Sequence, residues 1–448
     1  MRDFLDFAFR NFLDGFYEDK IEDLREQIIL KKDSYYFDWT ASGLASSLVE
    51  NRIREILPFY ANTHSSSSTH AMLIQELYQE SKKNIRKSLA LDDDFAVISC
   101  GSGSTSAIKK FQELLGIYIP PATKKIVEVK KDLLPLVVVG AFEHHSNEIS
   151  FREGLCEVYR VRLLENFDFD LEDFERVLEQ NKHRKIIFSC NLISNVTGNI
   201  APYKEMVEIA RKYSCIIAFD MATSSPDLII DCNYFDACFL SPHKLMGGVG
   251  GSGILCVRKT LIDTSKAPTF AGGGVVSYVD RKTQIYLNDE ELREEAGTPP
   301  ILQLFRSSLA YKLRDEVGID FISQRKKVLM RLLMQELQTI KDIVIYGKTE
   351  HFGVVSFNIF GISPFDLAYF LSKHYKIQTR AGCSCAGPYG HDLLKLQDNV
   401  YRGEKNPYGW LRISVHYTHT LQDIKYLSQA LRKAIDILNP GLYDTMPQ

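Results

Sequence analysis

A lysine followed by a run of glycines is the first feature of the sequence that could do chemistry. In SPHKLMGGVGGSG, Lys244 stands near Ser241 and His243, directly after an apolar run of strand type. A lysine amine withdrawn from water can lose its proton and form a Schiff base with a carbonyl group. On an open loop the same lysine would be a solvated charge. This segment alone leaves both interpretations open.

An acid that ends an apolar run is the second candidate. Asp220 closes CIIAFD, and a carboxylate at the end of a buried strand is costly unless a cationic group faces it. The protonated nitrogen of a pyridine ring would be such a group. A helix N-cap or an ion pair with an arginine fits this segment equally well.

Small polar residues between a predicted strand and a predicted helix suggest an anion site. The segment SCGSGSTSAIKKF places Gly103, Ser104 and Thr105 at this turn. Backbone N–H groups at a helix start, together with the positive end of the helix dipole, suit a phosphate. A tight turn capped by Ser104 or Thr105 explains the pattern as well.

A cluster of acids and histidines follows the run LPLVVVGA. FEHHSNEISFRE brings Glu143, His144, His145 and Glu148 close together, but the spacing fits no helical zinc motif, and we predict no metal site. One interpretation is a histidine that stacks on a flat ring or transfers protons. A purely structural pair is the other.

A polar, glycine-rich loop near the C-terminus carries two cysteines. In TRAGCSCAGPYG, Arg380 precedes Cys385 by five residues. We expect Cys385 to be exposed, and a nearby arginine would favour its nucleophilic thiolate form. Cys383 could pair with Cys385 or be inert.

Composition excludes several classes of protein. The chain has 448 residues, 45% of them apolar, and a net charge of −3 without a basic stripe, so we expect no nucleic-acid partner. Asp3, Asp6 and Asp14 interrupt the aromatic N-terminal segment, which therefore predicts neither a signal peptide nor a membrane span. Nine cysteines without regular spacing do not indicate a disulfide framework. We expect a cytoplasmic protein.

The order of apolar and amphipathic segments predicts an α/β fold. Between residues 90 and 260, buried-type strands alternate with helical patterns, which indicates a mainly parallel sheet. After residue 310 we predict one long helix, over 308–340, and then strands and helices of a smaller α+β domain. The predicted division is a large domain over 49–311 and a smaller one formed by 1–48 with 312–448. Glycines at G-x-G-x-x-G spacing after Lys244 precede a strand, so we reject a dinucleotide motif.

Ten segments occur in the order typical of one enzyme family. Together they resemble the class V aminotransferase superfamily, and most of all its cysteine desulfurases. The resemblance implies pyridoxal 5′-phosphate (PLP) as cofactor, a large domain of PLP fold type I, and a homodimer with its active sites at the subunit interface. The segments are YYFDWTASG, GSGSTSA, EHHSNE, ISNVTG, FDMA, SPHK, EAGTPPI, VVSFNIFG, RAGCSCA and LRISVHYTHT.

The resemblance also assigns roles to the residues that match its motifs. Lys244 corresponds to the lysine that holds PLP as a Schiff base, and Asp220 to the acid that pairs with the pyridinium nitrogen. His144 takes the position of the histidine that stacks on the ring and takes part in catalysis. Asn195 would contact the ring hydroxyl and the substrate. The further cofactor contacts that it implies are Gly103, Ser104, Thr105, Thr223, Ser241 and His243.

The pattern R-x-G-x-x-C points to the reaction. Arg380 matches the arginine that binds the substrate carboxylate, and Cys385 matches the nucleophilic cysteine of the desulfurases. We therefore predict that L-cysteine is converted to L-alanine, with sulfur left as a persulfide on Cys385 and passed to an acceptor protein. The alternative within this fold is an aminotransferase or a carbon–sulfur lyase acting on another amino acid. The alternative of another class is a non-catalytic scaffold that binds a sulfur carrier.

Four positions depart from the pattern of the family. Thr223 stands where many relatives have a glutamine near the ring aspartate, and Pro242 replaces a usual glycine. Ser106 replaces a common acidic residue of the phosphate loop. Cys383 is additional, in an arrangement similar to that of molybdenum cofactor sulfurases. These differences bear on the substrate more than on the PLP site.

Overall fold

The computed structural model describes residues 1–16, 18–398 and 408–439. Its helices are α1 (Arg2–Ala8), α2 (Ile21–Glu26), α3 (Ser47–Ile56), α4 (Thr69–Ser88), α5 (Ser104–Leu114), α6 (Pro121–Lys124), α7 (His145–Arg152), α8 (Leu171–Asn181), α9 (Tyr203–Lys212), α10 (Ile301–Val317), α11 (Ile319–Gln338), α12 (Pro364–Tyr375), α13 (Gly387–Leu394) and α14 (Leu421–Leu438). Its strands are β1 (Tyr35–Tyr36), β2 (Phe95–Ser99), β3 (Leu136–Val139), β4 (Glu157–Arg160), β5 (Ile186–Asn191), β6 (Ile216–Asp220), β7 (Ala237–Leu240), β8 (Ile254–Arg258), β9 (Val276–Val279), β10 (Gln284–Tyr286), β11 (Ile343–Ile345), β12 (Val354–Ile359), β13 (Ile377–Gln378), β14 (Arg380–Gly382) and β15 (Trp410–Ser414).

A seven-stranded sheet in the order β2-β8-β7-β6-β5-β3-β4 forms the centre of the larger part of the chain. Strand β8 runs antiparallel to both of its neighbours, and the other pairings are parallel. Apolar side chains cover both faces: Val138 packs into one buried cluster, and Val137 and Val139 into another. Strands buried on two faces explain the unbroken Val/Ile runs, and the predicted mainly parallel α/β fold is confirmed.

The carboxyl ends of the parallel strands carry polar residues at one edge of this sheet. Asn191 ends β5 and lies in register with Asp220, which ends β6. Strand β7 ends at Leu240, immediately before Ser241. Since crevices at this edge are the usual ligand sites of α/β sheets, the polar residues lie where a site is expected.

A second, four-stranded antiparallel sheet has the order β11-β12-β15-β14. Helices α11, α12 and α14 cover it, and its apolar cluster joins residues of 329–435 with Phe37 from the N-terminal part. Trp410 and Tyr417 of the same region pack instead into the large-sheet cluster. The division of the chain into 49–311 and the remainder stays a prediction.

One predicted element is wrong. The single helix expected over 308–340 is two helices, since α10 ends at Val317 and α11 starts at Ile319. Gly318 between them has φ of +95°, which a helix cannot contain. Among the described residues, no helix is long and apolar enough to cross a membrane.

Candidate active site

A cavity of about 320 Å³ lies at the carboxyl edge of the large sheet, and the antiparallel sheet closes one side of it. All twelve of the predicted site residues line this cavity, although they come from segments spread over 103–385. They are Gly103, Ser104, Thr105, His144, Asn195, Asp220, Thr223, Ser241, His243, Lys244, Arg380 and Cys385. The fold therefore brings together the whole set that the sequence singled out.

Lys244 ends a single 3₁₀ turn, Pro242–Lys244, that follows β7. The turn requires a glycine nearby, because a Cβ on Gly248 would lie 1.9 Å from the carbonyl oxygen of Pro242. Burial lowers the pKa of Lys244 to about 8, and the negative charge of Asp220 opposes part of this effect. In the described residues the Lys244 amine has no hydrogen-bond partner. A half-buried amine with a lowered pKa differs from the fully solvated lysine of an open loop.

Asp220 is a buried carboxylate with few partners. Its Oδ1 accepts a hydrogen bond from the Ala222 N–H at 2.9 Å, the one hydrogen bond that the described part of the chain gives it. Burial raises the pKa of Asp220, and the positive charge of Lys244 lowers it. Within the described residues Asp220 caps no helix and forms no ion pair with an arginine. It lines the cavity, where its carboxylate can accept a cationic N–H.

The predicted phosphate turn, at Gly103–Thr105, is hydrogen-bonded to Ser241, which belongs to the same segment as Lys244. The Ser104 N–H donates to Ser241 Oγ at 2.9 Å, and the Thr105 hydroxyl shares a hydrogen bond of 2.7 Å with Ser146. A Cβ on Gly103 would lie 3.2 Å from Ser241 Oγ and close to the His243 ring. Two of the expected phosphate donors therefore have protein partners, while the start of α5 still lines the cavity.

His144 has a structural role and also lines the cavity. It is the N-cap of α7, and its Nδ1 accepts a hydrogen bond from the Ser146 N–H at 3.1 Å. Burial and the charge of Lys244 lower the pKa of His144 to about 4. The ring is therefore neutral near pH 7, with its proton on Nε2, and it lines the cavity.

The neighbours of His144 have separate partners. Glu143 accepts hydrogen bonds from the Asn191 N–H and the Asn147 amide, and Glu148 pairs with Arg152. Burial raises the pKa of Glu143 to about 8. No cluster of three histidine, cysteine or acidic side chains that could hold a metal occurs in the part of the chain that the structure describes.

Two asparagines that line the cavity have side-chain oxygens without a partner among the described residues. Asn195 donates from Nδ2 to the carbonyl oxygen of Ser384 at 2.8 Å, and its Oδ1 is buried without a partner. Asn191 has the same unpaired Oδ1 and was not predicted. Its signal was available, because it ends the apolar run KIIFSCN as Asp220 ends CIIAFD.

A second arginine lies beside Arg380 and was also missed. Arg412 on β15 is buried and lines the cavity; it donates to Asp38 at 2.6 Å and to the carbonyl oxygen of Asn195 at 2.9 Å. Its Nε has no partner. The sequence signal was a charge inside the apolar run WLRISV, which a strand that faces solvent on one side could equally explain.

Cys385 lies in a tight turn and lines the cavity. The Ala386 N–H donates to the carbonyl oxygen of Cys383 at 3.1 Å, and Ser384 and Cys385 between them both have positive φ. Cys385 is half-buried, which corrects the expectation that it would be exposed. Cys383 is half-buried too and is absent from the cavity lining.

Comparisons with known proteins agree with this arrangement. The family model described as aminotransferase class-V matches residues 35–427, and the chain belongs to this family. Its enzymes depend on PLP, so the chain is a PLP-dependent enzyme. A protein named probable cysteine desulfurase from Pyrococcus abyssi is 26% identical over 93% of this chain and 98% of its own length. A cysteine desulfurase of Salmonella choleraesuis is 28% identical over 56% of this chain and 62% of its own length.

Solved structures show the same fold. A cysteine desulfurase from Thermococcus onnurineus, solved in the apo form, superposes with a TM-score of 0.77 at 23% identity, over 93% of this chain and 98% of that one. A cysteine desulfurase from Escherichia coli gives a TM-score of 0.75 at 20% identity, again over 93% and 98%. At these identities the likeness establishes PLP fold type I. The substrate has to be inferred from the residues of the site.

The residues of this cavity fit the cofactor. A buried carboxylate with an unused side suits the pyridinium nitrogen, and a lysine amine whose pKa is lowered to about 8 suits the aldehyde. The unpaired oxygens of Asn191 and Asn195 show that the cavity wall still has hydrogen bonds to make. The start of α5 supplies the helix dipole that favours a phosphate.

Proposed function

We propose that this enzyme is a cysteine desulfurase, which converts L-cysteine to L-alanine and takes up the sulfur as a persulfide on Cys385. The observation that carries the proposal is that Cys385 and Lys244 line one cavity together with two arginine guanidinium groups. A thiol in this place has no function in simple amino-group transfer. It is the group that a sulfur-accepting reaction requires.

In this proposal the residues that line the cavity would hold PLP. Asp220 would accept the pyridinium N–H, the His144 ring would stack on the cofactor ring, and the start of α5 with Ser241 and His243 would bind the phosphate. When bound, PLP supplies an electron sink for negative charge at the substrate Cα. Thr223, which is buried at the cavity wall, takes the place near the ring oxygen that many relatives give to a glutamine.

Arg380 and Arg412 hold the substrate carboxylate, and the charge-assisted N–H pairs fix its orientation. Lys244 removes the Cα proton, because burial makes its amine neutral enough near pH 8 to accept one. Burial lowers the pKa of both His144 and His243 to about 4, so these two rings add no charge to the cavity near pH 7.

The sulfur step balances without an added oxidant. The Cys385 thiolate attacks the substrate sulfur, a new S–S bond forms, and the substrate C–S bond breaks with its electron pair on Cβ. Cβ takes up one proton, which balances the proton lost by the substrate thiol, and the proton that Lys244 removed returns to Cα, which completes alanine. The products are L-alanine and a Cys385 persulfide, from which an acceptor thiol can take the terminal sulfur.

The test is turnover of L-cysteine, followed as alanine and sulfide in the presence of a thiol. We expect Cys385→Ala to lose both products, and Cys383→Ala, the matched control two residues away, to keep them. Undiminished turnover by Cys385→Ala would remove Cys385 from the mechanism, and sulfide released with a 2-oxo acid and ammonia in place of alanine would assign the protein to the carbon–sulfur lyases. A requirement for a 2-oxo acid would assign it to the aminotransferases.

The proposal also covers the oligomeric state, the protein partner and the cellular location of the enzyme. A homodimer with its sites at the interface, a sulfur-acceptor protein and a cytoplasmic location follow from the resemblance to the family. The nine cysteines are all free thiols, which supports a reducing compartment. Sedimentation of the purified holoenzyme measures the dimer, and a monomer with full activity would contradict it.

A further inference from the structure

The backbone around Cys385 needs support from other elements. Ser384 and Cys385 have φ of +54° and +56°, a left-handed conformation that side chains with a Cβ rarely adopt. Such a conformation persists only where the surrounding structure fixes it. The contacts that fix this turn therefore determine where the Cys385 thiol points.

His145 makes two of these contacts, one on each side of Ala386. Its backbone N–H donates to the carbonyl oxygen of Cys385 at 2.8 Å. Its ring Nε2 accepts a hydrogen bond from the Gly387 N–H at 2.7 Å. A Cβ on Gly387 would lie 2.9 Å from that ring nitrogen, so the glycine allows the close approach.

The ring of His145 can only accept this bond while Nε2 carries no proton. Burial and the charge of Arg152 lower the pKa of His145, which favours the neutral ring. His145 itself is absent from the cavity lining, whereas its neighbour His144 belongs to it. The ring of His144 thus lines the cavity, and the ring of the next residue, His145, contacts the turn that carries Cys385.

We propose that His145 is a positioning residue, which holds Cys385 in the geometry for attack on the substrate sulfur. The inference rests on the proposed desulfurase function. Attack by a thiolate depends on distance and direction, and a misplacement of about 1 Å can cost roughly 100-fold in rate. Loss of the His145 ring contact therefore lowers kcat and leaves substrate binding by the arginines intact.

The test compares two amide variants of the holoenzyme. The Oε1 of His145→Gln lies where the ring places Nε2 and can accept the Gly387 N–H, whereas the shorter His145→Asn cannot reach it. We expect His145→Asn to form the Cys385 persulfide at least 10-fold more slowly in a single turnover followed by mass spectrometry. KM and the PLP absorbance stay unchanged, and His145→Gln recovers most of the rate. His183→Asn, at an exposed histidine, is the control.

Three outcomes separate this inference from the proposed function. A wild-type rate of persulfide formation in His145→Asn, with Cys385→Ala inactive, overturns the inference alone. Full turnover by Cys385→Ala overturns the proposed function. The third outcome comes from a measurement that needs no variant, the ¹⁵N-histidine spectrum of the wild-type holoenzyme at pH 7. We expect His145 Nε2 to carry no proton, and a protonated Nε2 contradicts the inference.

Discussion

Arg380 and Arg412 occupy directly opposite positions on the antiparallel strands β14 and β15. Two like charges at such a pair repel each other, and Asp38 compensates them, with 2.6 Å to Arg412 and 3.9 Å to Arg380. One carboxylate for two guanidinium groups leaves a net positive charge beside Lys244. This charge favours an anion in the cavity, and under the proposed function that anion is the carboxylate of the amino-acid substrate.

The first prediction concerns this pair. Arg380→Lys keeps the positive charge and loses the planar guanidinium group with its two parallel N–H donors. A hydrogen bond to a charged group is worth about 1.5–3 kcal/mol, so we expect KM for L-cysteine to rise roughly 10- to 100-fold. We expect kcat to change little, because the contact is the same before and during the reaction. Steady-state kinetics measure both constants. Arg331→Lys, at an exposed position of α11, is the control, and an unchanged KM in Arg380→Lys would remove this residue from substrate binding.

The second prediction concerns the pKa of Lys244. Below pH 8 its amine is charged and cannot attack an aldehyde, so the rate at which apoprotein takes up PLP rises with pH through about 8. Because the negative charge of Asp220 raises this pKa, Asp220→Asn shifts the midpoint of uptake to lower pH. The uptake is measured by the absorbance of the Schiff base. Borohydride reduction and peptide mapping then identify the lysine that carries the cofactor. Uptake by Lys244→Ala, or an upward shift in Asp220→Asn, contradicts the assignment.

A third prediction separates the two functions of His144. Asparagine can also cap a helix through a side-chain oxygen, so His144→Asn keeps the cap of α7 and loses the ring, whereas His144→Ala loses both. We expect the free energy of unfolding to fall by about 1 kcal/mol in the alanine variant only, measured in urea without cofactor. Both variants lose activity. Equal stability of the two variants would show that the cap contributes nothing.

A fourth prediction concerns the glycines that follow Lys244. A Cβ on Gly253 would lie 2.4 Å from the carbonyl oxygen of Gly103 and 2.5 Å from that of Cys100, both in the phosphate turn. Gly253→Ala must displace this turn, so we expect at least 10-fold weaker PLP binding. In Gly273→Ala, the control, the new Cβ meets no atom within 4 Å. Fluorescence titration of apoprotein with PLP compares them, and equal affinities would contradict the close approach as the reason for the glycine.

The sequence was sufficient for residues whose chemistry is local. Lys244, Asp220 and the turn at Gly103 each follow an apolar run, and parallel strands bring such positions to one edge of the sheet. Predicting that edge needs only the alternation of strands and helices. The number and order of the strands, and the reversal of β8, depend on pairings between distant segments and did not follow from that pattern.

Arg412 and Asn191 show where sequence reasoning failed. The place of Arg412 opposite Arg380 depends on the register between β14 and β15, and a shift of one residue would turn its side chain to the other face. Asn191 ends a strand just as Asp220 does, but an amide carries no charge that demands a partner. The helix break at Gly318 was missed because GID fits the apolar period of a continuous helix.

The distribution of the thiols has a practical consequence. Six cysteines are buried, and burial raises the pKa of half-buried Cys156 to about 11; the buried ones are Cys100, Cys190, Cys215, Cys232, Cys238 and Cys256. Cys383 and Cys385 are the other two half-buried cysteines. A maleimide dye at neutral pH therefore selects the turn of Cys383 and Cys385 without removal of any other cysteine. A fluorophore on Cys383 in a Cys385→Ser background would report on this turn while cofactor and substrate enter the enzyme.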